Sequence, residues 1–140
     1  MAIWVIMPYS AARKIGGEEF ASRLRSAYES FGIAWRLLDD IRDLETDMAR
    51  GVHSAVYASL DDKGRRLWDS IEIESGEESI NVSVDTCAII QSESLLRHIA
   101  KRIISELGQA ATLSADLGLD GFADDLRILA GPVVEWLKRG

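Results

Sequence analysis

The sequence is poor in the features on which many function classes depend. Cys87 is its only cysteine, which excludes an intramolecular disulfide and makes a reducing, cytoplasmic setting the expectation. Prolines are limited to Pro8 and Pro132, so most of the chain is free to form long helices. The one apolar run, Ala2–Met7, is too short to span a bilayer and lacks the charged start and cleavage site of a signal peptide. Basic charge is scarce: 16 Lys and Arg stand against 23 Asp and Glu, for a net charge of −7. That balance argues against a general nucleic-acid surface or an anionic membrane surface. An anionic ligand is not excluded, because a divalent cation held by carboxylates reverses the local sign. There is no P-loop, dinucleotide fingerprint or zinc spacing, and Asp116, Asp120, Asp124 and Asp125 lack the spacing of a calcium loop.

What is present is a folded-protein composition, 47% hydrophobic and 28% charged over 140 residues, enough for one helical domain spanning 1–140. Phe20, Leu24 and Ala27 recur at helix spacing after a break at Gly16–Gly17. A short interruption is expected near Ser30-Phe31-Gly32. The following helix, Ile33 to about Arg50, carries Leu37, Ile41, Leu44 and Met48 on one stripe, and Gly51 fits its end. Val52–Leu60 reads as a short helix, Asp61–Gly64 as a turn, and Leu67–Trp68 as a brief helical piece. Ile71–Val84 alternates locally, but loop and short helix are favoured, since a lone hairpin has no sheet to join. Two long helices follow, about Ser92–Leu113 and Leu119–Val133, the second bent at Gly131–Pro132. The short Asp116-Leu117-Gly118 link makes them antiparallel neighbours. Core packing is expected of Trp4, Trp35, Trp68 and Trp136, and His98 is expected on the outside of its helix.

The chemistry-bearing segment is Trp35-Arg36-Leu37-Leu38-Asp39-Asp40-Ile41-Arg42-Asp43-Leu44-Glu45-Thr46-Asp47. At about 100° per residue, Arg36, Asp40, Asp43, Asp47 and Arg50 fall in one polar stripe with Asp39 at its edge. Like charges at i,i+4, as in Asp39/Asp43 and Asp43/Asp47, cost on the order of 0.2–0.5 kcal/mol per pair. A cation between them removes that penalty, and Mg²⁺, which takes oxygen ligands and is usually shared with phosphate and water, is the natural one. The alternative is a solvated acidic face offset by Arg36, Arg42 and Arg50. His53 likewise has two readings, a phosphate contact or a partly exposed helix-end histidine.

The run Phe31–Asp43, with a glycine, small and aromatic residues and then the DDxxD pattern of Asp39, Asp40 and Asp43, resembles the second Asp-rich helix of polyprenyl diphosphate synthases. Asp43–Gly51 is similar to the matching region of squalene and phytoene synthases. The resemblance covers roughly Gly16 to Leu60 and implies the C-terminal part of the class I isoprenoid synthase fold, an all-α bundle. By that resemblance Asp39, Asp40 and Asp43 bind Mg²⁺ bridged to an isoprenyl diphosphate, and Asp47 is a further ligand. Arg50 or His53 contacts the diphosphate, because Val52 stands where many relatives carry a basic residue. Trp35-Arg36 also departs from the usual Phe-Gln. No first Asp-rich motif precedes this one, so the expectation is a subunit for prenyl transfer or terpene cyclisation. A separate chain in a hetero-oligomer would supply that motif, whereas a homodimer would only duplicate the second. A non-catalytic binding or regulatory subunit is the alternative.

Overall fold

The computed structural model describes residues 3–70 and 93–139, with side chains for 6–70 and 94–139. The expectation for Ile71–Val84 lies outside these residues, as do Cys87 and the side chain of Trp4. Every regular element among the described residues is a helix: α1 (Ile3–Arg42), α2 (Leu44–Ala49), α3 (Ala55–Ser59), α4 (Asp62–Asp69), α5 (Glu93–Asp116) and α6 (Asp120–Lys138). None is long and apolar enough to cross a membrane. The chain divides into two compact units, Met1–Trp35 with Ala100–Gly140, and Arg36–Ile99.

In the first unit, α1 is interrupted where the sequence predicts. Gly17 adopts φ 81° and ψ −174°, a region open in practice only to glycine. Across this break Ala12 joins Ala21 and Leu24 in one buried cluster, against which Tyr9, Phe20, Tyr28, Leu117 and Leu119 pack. Glu18, just past the break, accepts hydrogen bonds from Tyr9 and Arg13, fastening one side to the other. Pro8 is accommodated within the helix, near its start, where it forfeits a single hydrogen bond to the carbonyl four residues earlier. The interruption expected near Ser30-Phe31-Gly32 is absent, and the helix continues through these residues. An interior glycine costs about 1 kcal/mol relative to alanine, and packing offsets it here: Ala27 and Ala34 are fully buried, and Tyr28 and Phe31 lie 5.5 and 6.0 Å, between ring centroids, from Phe122 of α6.

The long C-terminal helices are present. The end of α5 is closed by a pair of bonds in which Gly118 N–H donates to Ala115 O and Leu119 N–H to Ser114 O, both at 2.9 Å, the Schellman arrangement. Asp116 accepts a hydrogen bond from Arg23 at 2.9 Å. Pro132 is carried inside α6. The buried faces are apolar: Ile103, Leu107, Ala110 and Ala111 on α5, Ala123 and Leu126 on α6. His98 is exposed, as expected. Trp35 and Trp136 are not core residues; they are 55% and 43% exposed.

In the second unit the apolar stripe Leu37, Leu44 and Met48 is buried together with Val56, Leu60 and Trp68. The helix expected to run unbroken from Ile33 to Arg50 is instead divided at Asp43, whose φ of −95° and ψ of 11° fall in the bridge region. Its stop at Gly51 is as expected: with φ 64°, Gly51 donates to Met48 O at 3.1 Å and Val52 to Asp47 O at 2.8 Å, a second Schellman stop. Asp61 caps α4 by accepting Gly64 N–H at 2.7 Å, so the Asp61–Gly64 turn is the start of that helix.

Substituting Gly17→Ala is expected to destabilise the chain by about 1–3 kcal/mol through backbone strain alone, since an added Cβ meets nothing within 4 Å. Gly108→Ala, also unobstructed but inside α5, is expected to stabilise by about 0.5–1 kcal/mol. Urea denaturation of the pair separates the two effects.

Candidate functional site

The four aspartates of the sequence motif do not share one environment. Asp40 is 2% exposed, although the helical wheel puts it on the polar stripe. It is drawn inward because both oxygens have internal work. Oδ2 accepts the Ala55 N–H at 2.7 Å and Oδ1 accepts Arg36 Nε at 2.8 Å. The first bond reaches from α1 to the first residue of α3. Ser54 occupies the N-cap position of α3 yet makes no side-chain cap bond, and its Oγ is buried without a partner. Serine is a favoured capping residue, but here the cap is supplied by Asp40, fifteen residues earlier in the chain.

Asp39 and Asp43 remain open to solvent and share one cation. Arg42 Nη2 donates to Asp39 Oδ1 at 2.7 Å and Arg42 Nε to Asp43 Oδ1 at 3.0 Å. The Arg42 hydrogen bond holds the Asp43 carboxyl below the usual carboxylate range. Asp47 behaves oppositely. Partial burial, then the charges of Asp40 and Asp43, push its pKa up, with Arg36 opposing. Four carboxylates within electrostatic reach of one another are therefore compensated by two arginines, Arg36 and Arg42, and Asp47 bears the uncompensated part.

Arg50 forms the C-cap of α2 and is exposed, with no ion pair among the described residues. His53 is engaged elsewhere. Its Nε2 lies 3.2 Å from Asp69 Oδ1, and its ring stacks on Tyr57 with centroids 3.9 Å apart and planes 3° from parallel. Tyr57 OH donates to Asp69 Oδ2 at 3.0 Å, and burial followed by that hydrogen bond raises the phenol's pKa. Tyr57 meets Trp68 edge-on at 5.6 Å, while the Trp68 indole N–H is buried without a partner. The His53–Tyr57–Asp69 assembly joins the turn before α3 to the end of α4. Sequence reasoning passed over Tyr57 and Asp69, and no local pattern marks them, since sixteen residues separate His53 from Asp69.

The donor set is hard oxygen, the chemistry Mg²⁺ prefers. Among the described residues no group of three or more histidine, cysteine or carboxylate side chains converges as a cage. Such a cage is not what Mg²⁺ requires; one or two carboxylates completed by substrate phosphate and water are usual. One or two of Asp39, Asp43 and Asp47 fit that role, Asp39 and Asp43 only once the exposed Arg42 is displaced from them. Asp40 does not, because a metal would have to displace the Ala55 amide or Arg36. No protein-family model, curated protein or solved structure matches the chain, so the likeness to isoprenoid synthases rests on the residues of the Phe31–Gly51 segment.

The raised Asp47 pKa has a definite sign. A carboxyl whose folded-state pKa exceeds its unfolded value contributes stability below the unfolded value, and that contribution is lost as pH rises through the folded one. Asp47→Asn is therefore expected to raise the unfolding midpoint at pH 7, with the gain over wild type vanishing below about pH 4. Thermal unfolding across that range checks this.

Proposed function

We propose that the chain is a subunit or truncated homologue of a class I isoprenoid synthase, binding Mg²⁺ and an isoprenyl diphosphate through the Asp39–Asp47 segment. The observation that carries the reading is Asp47, whose pKa is raised first by partial burial and then by the charges of Asp40 and Asp43, one turn beyond an Asp39/Asp43 pair close enough to share a single guanidinium. One or two of Asp39, Asp43 and Asp47 would hold the ion, and Arg50, three residues beyond Asp47 and without an ion pair among the described residues, is the candidate for the diphosphate. His53, already committed to Asp69 and Tyr57, is the weaker candidate. A bound Mg²⁺ supplies Lewis-acid stabilisation of a departing diphosphate, the chemistry of prenyl transfer and terpene cyclisation. This chain's carboxylates orient the ion, and Arg50 neutralises the anion.

A partner chain supplying the first Asp-rich motif belongs to the same reading, in a hetero-oligomer rather than a homodimer. A second reading, a non-catalytic binding or regulatory subunit, is favoured by Arg42 already neutralising Asp39 and Asp43. It is favoured also by the exposed apolar side chains of Met7 and Ile15, at 81% and 86%.

Calorimetric titration with inorganic diphosphate, with and without Mg²⁺, separates the two. Mg²⁺-dependent binding that weakens about tenfold or more in Asp39→Asn/Asp43→Asn is expected of the first reading, by analogy with the cost of disturbing a metal site. Equal affinity in wild type and double variant, or no binding by the wild type with Mg²⁺ present, would sink it.

A further inference from the structure

If the ion is held by one or two of Asp39, Asp43 and Asp47, the second aspartate of the motif is left with a different task. The Arg50–Ala55 turn carries both side chains that were candidates for the diphosphate, and backbone bonds tie it down at both ends. Near its start, Val52 N–H donates to Asp47 O at 2.8 Å. At its end, Ala55 N–H donates to Asp40 Oδ2 at 2.7 Å. No other side chain shares the second tie, since the Ser54 Oγ is buried and makes no bond and α3 has no side-chain cap of its own. The carboxylate cannot swing outward to a ligand without stranding a backbone donor, and its other oxygen is held by Arg36 at 2.8 Å.

The geometry points to Asp40 as a positioning residue: it sets the Arg50–Ala55 turn through the Ala55 amide, and so the placement of Arg50, without touching the metal or the diphosphate. This inference rests on the functional reading above for its ligand, but its structural half can be tested apart from it. Asn is the discriminating substitution. It keeps an oxygen for the Ala55 N–H while losing the charge a metal needs, and its NH2, a donor facing the Arg36 N–H donor, breaks only the Arg36 bond, since that side chain is 64% exposed and can turn to water.

The experiment compares the full chain as wild type, Asp40→Asn, Asp40→Ala and Asp43→Asn, by hydrogen exchange at the Ala55 amide and by Mg²⁺-dependent binding of inorganic diphosphate. Asp40→Asn is expected to keep Ala55 protected and diphosphate affinity close to wild type. In Asp40→Ala the amide should exchange about tenfold faster or more, and affinity should fall about tenfold. Asp43→Asn should lose affinity with Ala55 still protected. Loss of affinity in Asp40→Asn equal to that in Asp43→Asn, with Ala55 protected in both, makes Asp40 a ligand and overturns the proposal. Absence of diphosphate binding by the wild type overturns the functional reading instead. In that case the Ala55 amide still decides, because equal exchange in wild type and Asp40→Ala contradicts the hold assigned to Asp40.

Discussion

A carboxylate removed from water must recover its lost hydration from the protein, and Asp40, at 2% exposure, does so with one backbone amide and one guanidinium. Hydrogen bonds to an ionised acceptor are among the stronger ones a protein makes, and leaving a buried partner unpaired costs more than the bond contributes when made. The consequence is organisational. A five-residue helix such as α3 is far too short to persist by propensity. Its first amide is tied to α1, its Tyr57 to Asp69 of α4, and the Ala58 carbonyl near its end accepts a bond from Arg65 of α4. The turn carrying Arg50 and His53 has its position fixed by these attachments.

The same carboxylate sets the electrostatics of the acidic face. Its fixed charge is one of the causes that raise the Asp47 pKa, whereas Arg42 lowers that of Asp43. Two aspartates four residues apart therefore have pKa values shifted in opposite directions, because one has an arginine within bonding distance and the other is partly buried beside carboxylates. The folded chain thus holds the Asp47 carboxylate in its charged form at a cost.

Much of the helical architecture was legible. The breaks at Gly17, Gly51 and Gly118 follow from positive φ values that glycine tolerates and other residues resist, and the apolar periodicity marked Leu37, Leu44, Met48, Ile103, Leu107 and Leu126 as core. Two of the misreadings, at Gly32 and Asp40, arise where tertiary packing overrode a local signal. Gly32 stays helical because Tyr28 and Phe31 are held by Phe122. Trp35 is exposed although its size argued for the core. Asp40 sits on the polar side of an ideal wheel, but the partner that draws it in, Ala55, lies fifteen residues away and contributes only a backbone amide. No side-chain pattern can advertise such a contact, and the serine that ought to have served, Ser54, hides the need for it.

The most direct test of Asp40 as the organising group is urea denaturation at neutral pH of Asp40→Ala beside Ser54→Ala. The account predicts a loss of about 2–4 kcal/mol for Asp40→Ala, from a charged hydrogen bond removed and a buried amide left without an acceptor. For Ser54→Ala it predicts a change within about 0.5 kcal/mol, since that hydroxyl makes no bond. Comparable losses for the two variants, or a larger loss for Ser54→Ala, would show that the serine caps α3 and that the buried carboxylate does not hold the second unit together.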